Sequence, residues 1–281
     1  MMVPFDSGMR DTRMGRGPAH LLELGIAKQL ETLGLEVEHR VVEPSPEVFP
    51  TEIRLSLELQ RAVAHQVSDA LRRGSFPLVL SGNCNIAVGV LAGIRMARGS
   101  SPAVCWFDAH ADFNTPETTI GGFLDGMAVS MVTGHCWRAL TAQVPGFAPV
   151  PESQVLMIGT RDVDPLERER LEASFIRVGA AIADIEGEVD RITKAAGVSE
   201  VYLHLDLDTL DASEGRANDY AVAGGLMRSD LFKAIDAIGS RATMRAASIT
   251  AYDPACDAGE RIGRIAIEAA MRIVGATPTR E

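Results

Sequence analysis

Apolar runs and helical patterns alternate along the whole chain. Residues 76–80, 103–107, 154–158, 200–207 and 245–251 are short runs too apolar on both faces for a one-sided sheet. That pattern predicts buried parallel strands. Helical periodicity falls between them at 86–98, 124–132, 164–172, 186–196, 229–238 and 260–273. Upstream, 18–33 predicts a helix with Pro18 early in it and Gly34 as its stop. A strand is expected over 35–42, then a long helix over 52–73 ended by Gly74. This alternation predicts an α/β fold, a mostly parallel central sheet with helices on both faces. No linker, repeat or low-complexity segment divides it, so a single domain is expected over 1–281. The irregular stretches 108–123 and 209–227 each begin where a predicted strand ends, the place where open α/β sheets bind ligands.

Composition narrows the function classes. The chain of 281 residues is 46% hydrophobic and 23% charged, an ordinary globular composition that excludes collagen-like, coiled-coil and largely disordered readings. A formal net charge of −11 argues against nucleic acid or an anionic membrane surface as the main partner. Neither a signal-peptide core nor a membrane span is visible. Cys84, Cys105, Cys136 and Cys256 are widely spaced and form no C-x-x-C pair, as expected for reduced thiols in a cytoplasmic protein.

The chemistry concentrates at two strand ends. The run 103–107 leads into Asp108-Ala109-His110-Ala111-Asp112, and in extended chain Asp108, His110 and Asp112 would share one face. The run through Leu203 ends in His204-Leu205-Asp206-Leu207-Asp208, which places Asp206 and Asp208 the same way. One such motif reads equally well as a capped loop with solvated carboxylates. Two of them at the ends of separate apolar strands imply a cation, because unpaired buried charge is costly. Four Asp and one His make an oxygen-rich donor set, better suited to Mn²⁺ than to Zn²⁺. A hydroxide bridging two such ions would be a nucleophile near neutral pH.

The segments PFDSG, MGRGP, DAHADFNTPETT, IGTRDVDP, LDLDTLD and AYDPACD occur in that order over nearly the whole chain. In them the chain resembles the arginase/agmatinase (ureohydrolase) family. The resemblance implies a three-layer αβα sandwich and a binuclear Mn²⁺ site, two ions per chain, that hydrolyses a guanidino C–N bond. It also implies a homo-oligomer, trimer or hexamer. Carried over by position, Asp108, His110, Asp112, Asp206 and Asp208 match five of the six metal ligands. Cys84, in Ser81-Gly82-Asn83-Cys84-Asn85, stands where the family has the sixth, a His. Thiolate is softer than imidazole and a poorer match to Mn²⁺, but Cys84 still points to ligation among carboxylates.

Other positions divide into kept and altered. Asn114 and Thr119 match residues that hold a substrate α-carboxylate, and Asp164 and Glu167 match residues that hold the α-amino group. Read from their place alone, Asp164 and Glu167 are helix N-terminal acids. At the reacting end, Asp125 replaces a His proton shuttle, and Ala251 replaces a Glu that pairs with the guanidinium. Asp125 can carry protons only with a pKa raised toward neutrality, so Asp112 or Asp125 is the expected relay. The changes gather at the reacting end, which points to arginine or a tip-modified arginine such as N-hydroxy-arginine. The products would be urea or a urea derivative and an ornithine-like amino acid. Two alternatives stand: an agmatinase or guanidino-acid hydrolase indifferent to the α-carboxylate, and a degenerate member that binds metal or amino acid as a regulator.

Overall fold

The computed structural model describes residues 1–45, 51–179 and 182–276. Seven strands form one sheet in the order β1-β4-β9-β8-β5-β6-β7. They are β1 (Met2–Val3), β4 (Leu78–Ser81), β5 (Ala103–Phe107), β6 (Val155–Ile158), β7 (Arg177–Val178), β8 (Glu200–Asp206) and β9 (Thr243–Thr250). Every neighbouring pair is parallel. A separate antiparallel hairpin joins β2 (Phe5–Asp6) to β3 (Met9–Arg10).

Side-chain alternation explains the three layers. On β5, Val104 and Trp106 join one core with α3 (Glu52–Arg72), α4 (Ala87–Arg98) and α5 (Ala128–Val132). Ala103, Cys105 and Phe107 join the other, with α1 (Gly17–Glu23), α2 (Ile26–Glu31), α8 (Ile185–Ala196), α9 (Arg228–Arg241) and α10 (Arg261–Gly275). Strands buried on both faces need apolar residues at both parities, hence the unbroken apolar runs in the sequence. The pair α3 and α4 packs closely because a Cβ on Gly89 would come within 2.4 Å of the Gln60 carbonyl, and one on Gly93 within 2.6 Å of the Ala64 carbonyl. Two short helices, α6 (Arg138–Thr141) and α7 (Pro165–Glu172), complete the set.

Several expectations change in detail. The helix expected over 18–33 is broken into α1 and α2 by Gly25, at φ 95°, and ends before Thr32. The strand expected over 35–42 reduces to one bridge on the outer edge of β1, Val41 to Met2, where the Met2 amide donates to the Arg40 carbonyl and the Val42 amide to the Met2 carbonyl. The edge strands β1 and β7 are too short to leave a periodic signal. The helix α3 starts where expected, with the Thr51 side chain accepting a hydrogen bond from the Arg54 amide. Among the described residues no helix is long and apolar enough to cross a membrane.

Candidate metal centre and substrate cavity

Four consecutive sheet strands, β4, β9, β8 and β5, deliver their C-terminal ends to one place. Cys84 follows β4 in a short 3₁₀ turn, Asp108 follows β5 directly, Asp206 ends β8 and Thr250 ends β9. Their approach leaves two groups whose candidate ligand atoms all lie within 4.8 Å of one another: Cys84, Asp108 and Asp206, and Asp108, His110 and Asp208. The two groups share Asp108. Cys84 Sγ is 3.1 Å from Asp206 Oδ2, and His110 Nδ1 is 3.4 Å from both Asp108 Oδ1 and Asp208 Oδ2.

The face-sharing expected from strand alternation does not carry through these motifs. The strand β5 stops at Phe107, and beyond it Asp112 turns left-handed at φ 49°. Asp208 lies in a 3₁₀ turn whose amide donates to Asp206 Oδ1 at 2.8 Å. Backbone amides therefore gather these carboxylates: Asp108 accepts from the His110 amide at 2.7 Å, and Asp208 accepts from the Ala109 amide at 3.2 Å. Asp112 joins neither ligand group, and its buried Oδ2 has no hydrogen-bond partner.

The electrostatics of this cluster call for positive charge. Burial and the neighbouring carboxylates push Asp108, Asp112 and Asp206 above the usual carboxylate range. Burial and the same acids push the Cys84 thiol well up. Burial pulls His110 down, but Asp108 and Asp208 outweigh it and raise it to about 12. Burial would likewise raise Asp208, but its hydrogen bonds and charge pairing with His110 hold it below the usual range. His110 thus faces two of these carboxylates, and the cluster as a whole is short of positive charge. An oxygen-rich donor set with one orphaned buried oxygen fits a hard divalent cation.

A cavity of about 190 Å³ opens over the cluster. Cys84, His110, Asp112, Asp206 and Asp208 line it, together with Asn114, Thr119, Asp125, Asp164 and Glu167. Asp108 lies beneath it, 1% exposed. The acids at the start of α7 are engaged with the chain itself. Glu167 accepts from the Phe113 amide at 2.7 Å and the Asp164 amide at 3.2 Å, tying the loop after Asp112 to the helix start. Asn114 donates to Asp164 at 3.1 Å and accepts from the Thr118 hydroxyl at 2.9 Å. Thr119 accepts from the Gly122 amide at 3.0 Å.

Asp125 accepts from the Asn85 amide and from the Asn83 side chain, both at 2.9 Å, and so braces the turn that carries Cys84. Burial raises its pKa to about 7 against the lowering pull of these donors. Ala251 lines the same cavity at φ 60°, a left-handed position unusual for alanine.

Sequence reasoning assigned nothing to Asn218, Tyr220, Phe123 or His204. Asn218 donates to Asp208 Oδ2 at 3.2 Å and to the Ala251 carbonyl at 2.9 Å. Tyr220 packs edge-on against His110 and stacks on Phe123. The one available signal for Asn218 and Tyr220 was their place in the irregular stretch after β8. His204 lies inside β8, stacked on Trp106 at 3.6 Å between ring centroids, and burial lowers its pKa to about 3.

The Arginase family model matches residues 1–275. The arginase of Brevibacillus brevis is 27% identical, with 97% of this chain and 96% of that protein covered. The arginase of Bacillus caldovelox is 28% identical, with 94% and 93% covered. Among solved structures, the native Bacillus caldovelox arginase at pH 5.6 superposes with a TM-score of 0.85 at 25% identity, covering 97% of this chain and 96% of its own. An arginase from Bacillus subtilis strain 168 gives 0.86 at 26% identity, with the same coverage.

Proposed function

The chain belongs to the arginase family, metal-dependent hydrolases of guanidino C–N bonds, and from that premise we propose that it cleaves arginine or a tip-modified arginine such as N-hydroxy-arginine. The products are an ornithine-like amino acid and urea or a urea derivative. One observation carries this reading: two donor groups sharing Asp108 lie at a cavity that Asn114, Thr119 and Asp164 also line.

The donors suit a pair of Mn²⁺ ions. Cys84, Asp108 and Asp206 would hold one, and Asp108, His110 and Asp208 the other, with Asp112 Oδ2 as a further donor. When bound, the pair supplies positive charge and acidifies water, so that a hydroxide-strength nucleophile forms near neutral pH. Asp125, with a pKa of about 7, holds a proton on its carboxyl near neutrality and passes it to the leaving nitrogen; Asp112 is the other candidate for that transfer. With alanine at 251, no carboxylate from that position neutralises the guanidinium. An N-hydroxyl lowers the basicity of the group and makes that partner less necessary. Asn114, Thr119, Asp164 and Glu167 orient the α-amino-acid end, Glu167 by holding the loop.

One observation favours a second reading, a substrate without an α-carboxylate such as agmatine: part of the bonding capacity of Asn114 is spent on Thr118 and Asp164. The same proposal takes residues 1–281 as one domain in a cytoplasmic homo-oligomer, trimer or hexamer, with a small-molecule guanidino partner. The four cysteines, all free, agree with a reducing compartment.

The test is mass-spectrometric assay of the Mn²⁺-loaded protein against arginine, N-hydroxy-arginine and agmatine. Ornithine from either of the first two is expected. Turnover of agmatine alone would move the assignment to the second reading, and no turnover with two ions bound would overturn it.

A further inference from the structure

Beneath the carboxylate cluster lies a buried polar chain that the reaction itself does not use. Trp106 on β5 and His204 on β8 stack at 3.6 Å with rings 7° from parallel. The Trp106 indole N–H donates to Asp108 Oδ2 at 3.1 Å. His204 Nδ1 is 2.9 Å from the Tyr202 hydroxyl, which donates to Ser248 Oγ at 2.8 Å. On the other side of the ring, His204 Nε2 is 3.2 Å from Thr250 Oγ1, and that oxygen is 3.2 Å from Cys84 Sγ. Trp106, Tyr202, His204 and Ser248 have no exposed surface, and Thr250 is 1% exposed.

The chain has a consistent polarity toward a metal-bound sulfur. A thiolate can only accept, so the Thr250 hydroxyl, which also lies 3.3 Å from the Leu205 carbonyl, is the donor to Cys84. His204 Nε2 then donates to the Thr250 oxygen, and Nδ1 shares the Tyr202 hydroxyl proton with Ser248 Oγ. The ring is clamped by stacking on one face and by hydrogen bonds at both nitrogens, so Thr250 has one orientation and the sulfur a fixed neighbour.

We propose that the stacked Trp106–His204 pair is a positioning platform for the metal centre, setting Asp108 through the indole N–H and the Cys84 sulfur through Thr250. The platform turns a cysteine on a short turn into a donor aimed at the cation faced by Asp108 and Asp206. This rests on the reading of Cys84 as a metal ligand. Outer partners of this kind commonly change metal affinity by about 10–100-fold when removed.

Co²⁺ is the probe, titrated into the metal-stripped full chain and followed by the sulfur-to-cobalt charge-transfer absorption and by calorimetry. Wild type and Thr250→Ser are expected to show the band with similar affinity. Thr250→Val, which keeps the shape and loses the hydroxyl, is expected to weaken Co²⁺ binding by about 10-fold or more and to shift or dim the band. In a Cys84→Ala background Thr250→Val is expected to add nothing, whereas Trp106→Phe still weakens binding there, because it acts through Asp108. Tyr202→Phe repeats the test at a distance should Thr250→Val fail to fold. An unchanged band and affinity in Thr250→Val, or an equal loss with and without Cys84, overturns the platform. Absence of the band in wild type overturns the reading of Cys84 as a ligand, and the platform with it.

Discussion

At the strand-tip side of the cavity, Asp108, Asp112 and Asp206 are held above their ordinary pKa range, and Asp112 Oδ2 has no partner. At the loop side, Asn114, Asp164 and Glu167 hydrogen-bond one another and the backbone around them. Both sides are rich in polar side chains, yet their energetic states are opposite. The loop side is complete within the protein, so it orders backbone and presents what capacity is left. The strand-tip side is short of positive charge, and a buried carboxylate without a cation stays costly or takes up a proton. Under the proposed function a substrate would meet a preassembled surface on one side, while the other would be assembled fully only with a metal.

The strongest way to break this contrast is Asp206→Asn on the strand-tip side. Loss of a charged donor is expected to empty a metal position and lower turnover by roughly 10³-fold or more, read by metal analysis and steady-state kinetics. Retained metal and turnover would place the chemistry elsewhere.

The next effect is on pH. His110, held at about 12, and the raised acids keep protons that a cation must displace. Metal binding should therefore release protons and weaken as pH falls, by about tenfold per pH unit for each proton released. Calorimetry in buffers of different ionisation enthalpy measures that number, and a pH-independent affinity contradicts the picture.

On the loop side, Asn114→Ala should raise KM for arginine or N-hydroxy-arginine about tenfold with a smaller change in kcat, since it removes binding and not chemistry. An unmoved KM favours the agmatine-like reading.

The smallest expected effect on the metal centre is that of Glu167→Ala, which strands the Phe113 and Asp164 amides. It should lower unfolding free energy by about 2–3 kcal/mol in denaturant titration and leave metal content unchanged. Loss of metal in that variant would join the two sides that the structure separates.

The strands that mattered were plain in the chain, because a strand covered on both faces is apolar at most positions of both parities. The run at 103–107 coincides with β5, and the long helix after Thr51 differs from α3 by one residue. The 35–42 stretch misled, because the two-residue β1 offers it a partner only at 40–42. The metal-ligand candidates were legible as carboxylates at strand ends. Their geometry was not, since Asp112 and Asp208 reach the cavity through turns and not through strand alternation.

Glu167 shows the remaining limit. Its place at a helix start gave equal grounds for binding and for capping, and only the distance to the Phe113 amide separates those roles. His204 shows it more sharply, because a histidine inside an apolar strand has no local signature of the ring it stacks on or the hydroxyls it meets. By itself the sequence determined which strands are buried, where they end and which charged side chains stand at those ends, because these follow from periodicity and from the cost of burying charge. The tertiary structure decided which of those side chains lie within reach of one another and which are already satisfied. Residues 84, 108, 206 and 250 come together only through the order in which four strands lie side by side, and that order is not a local property of any of them.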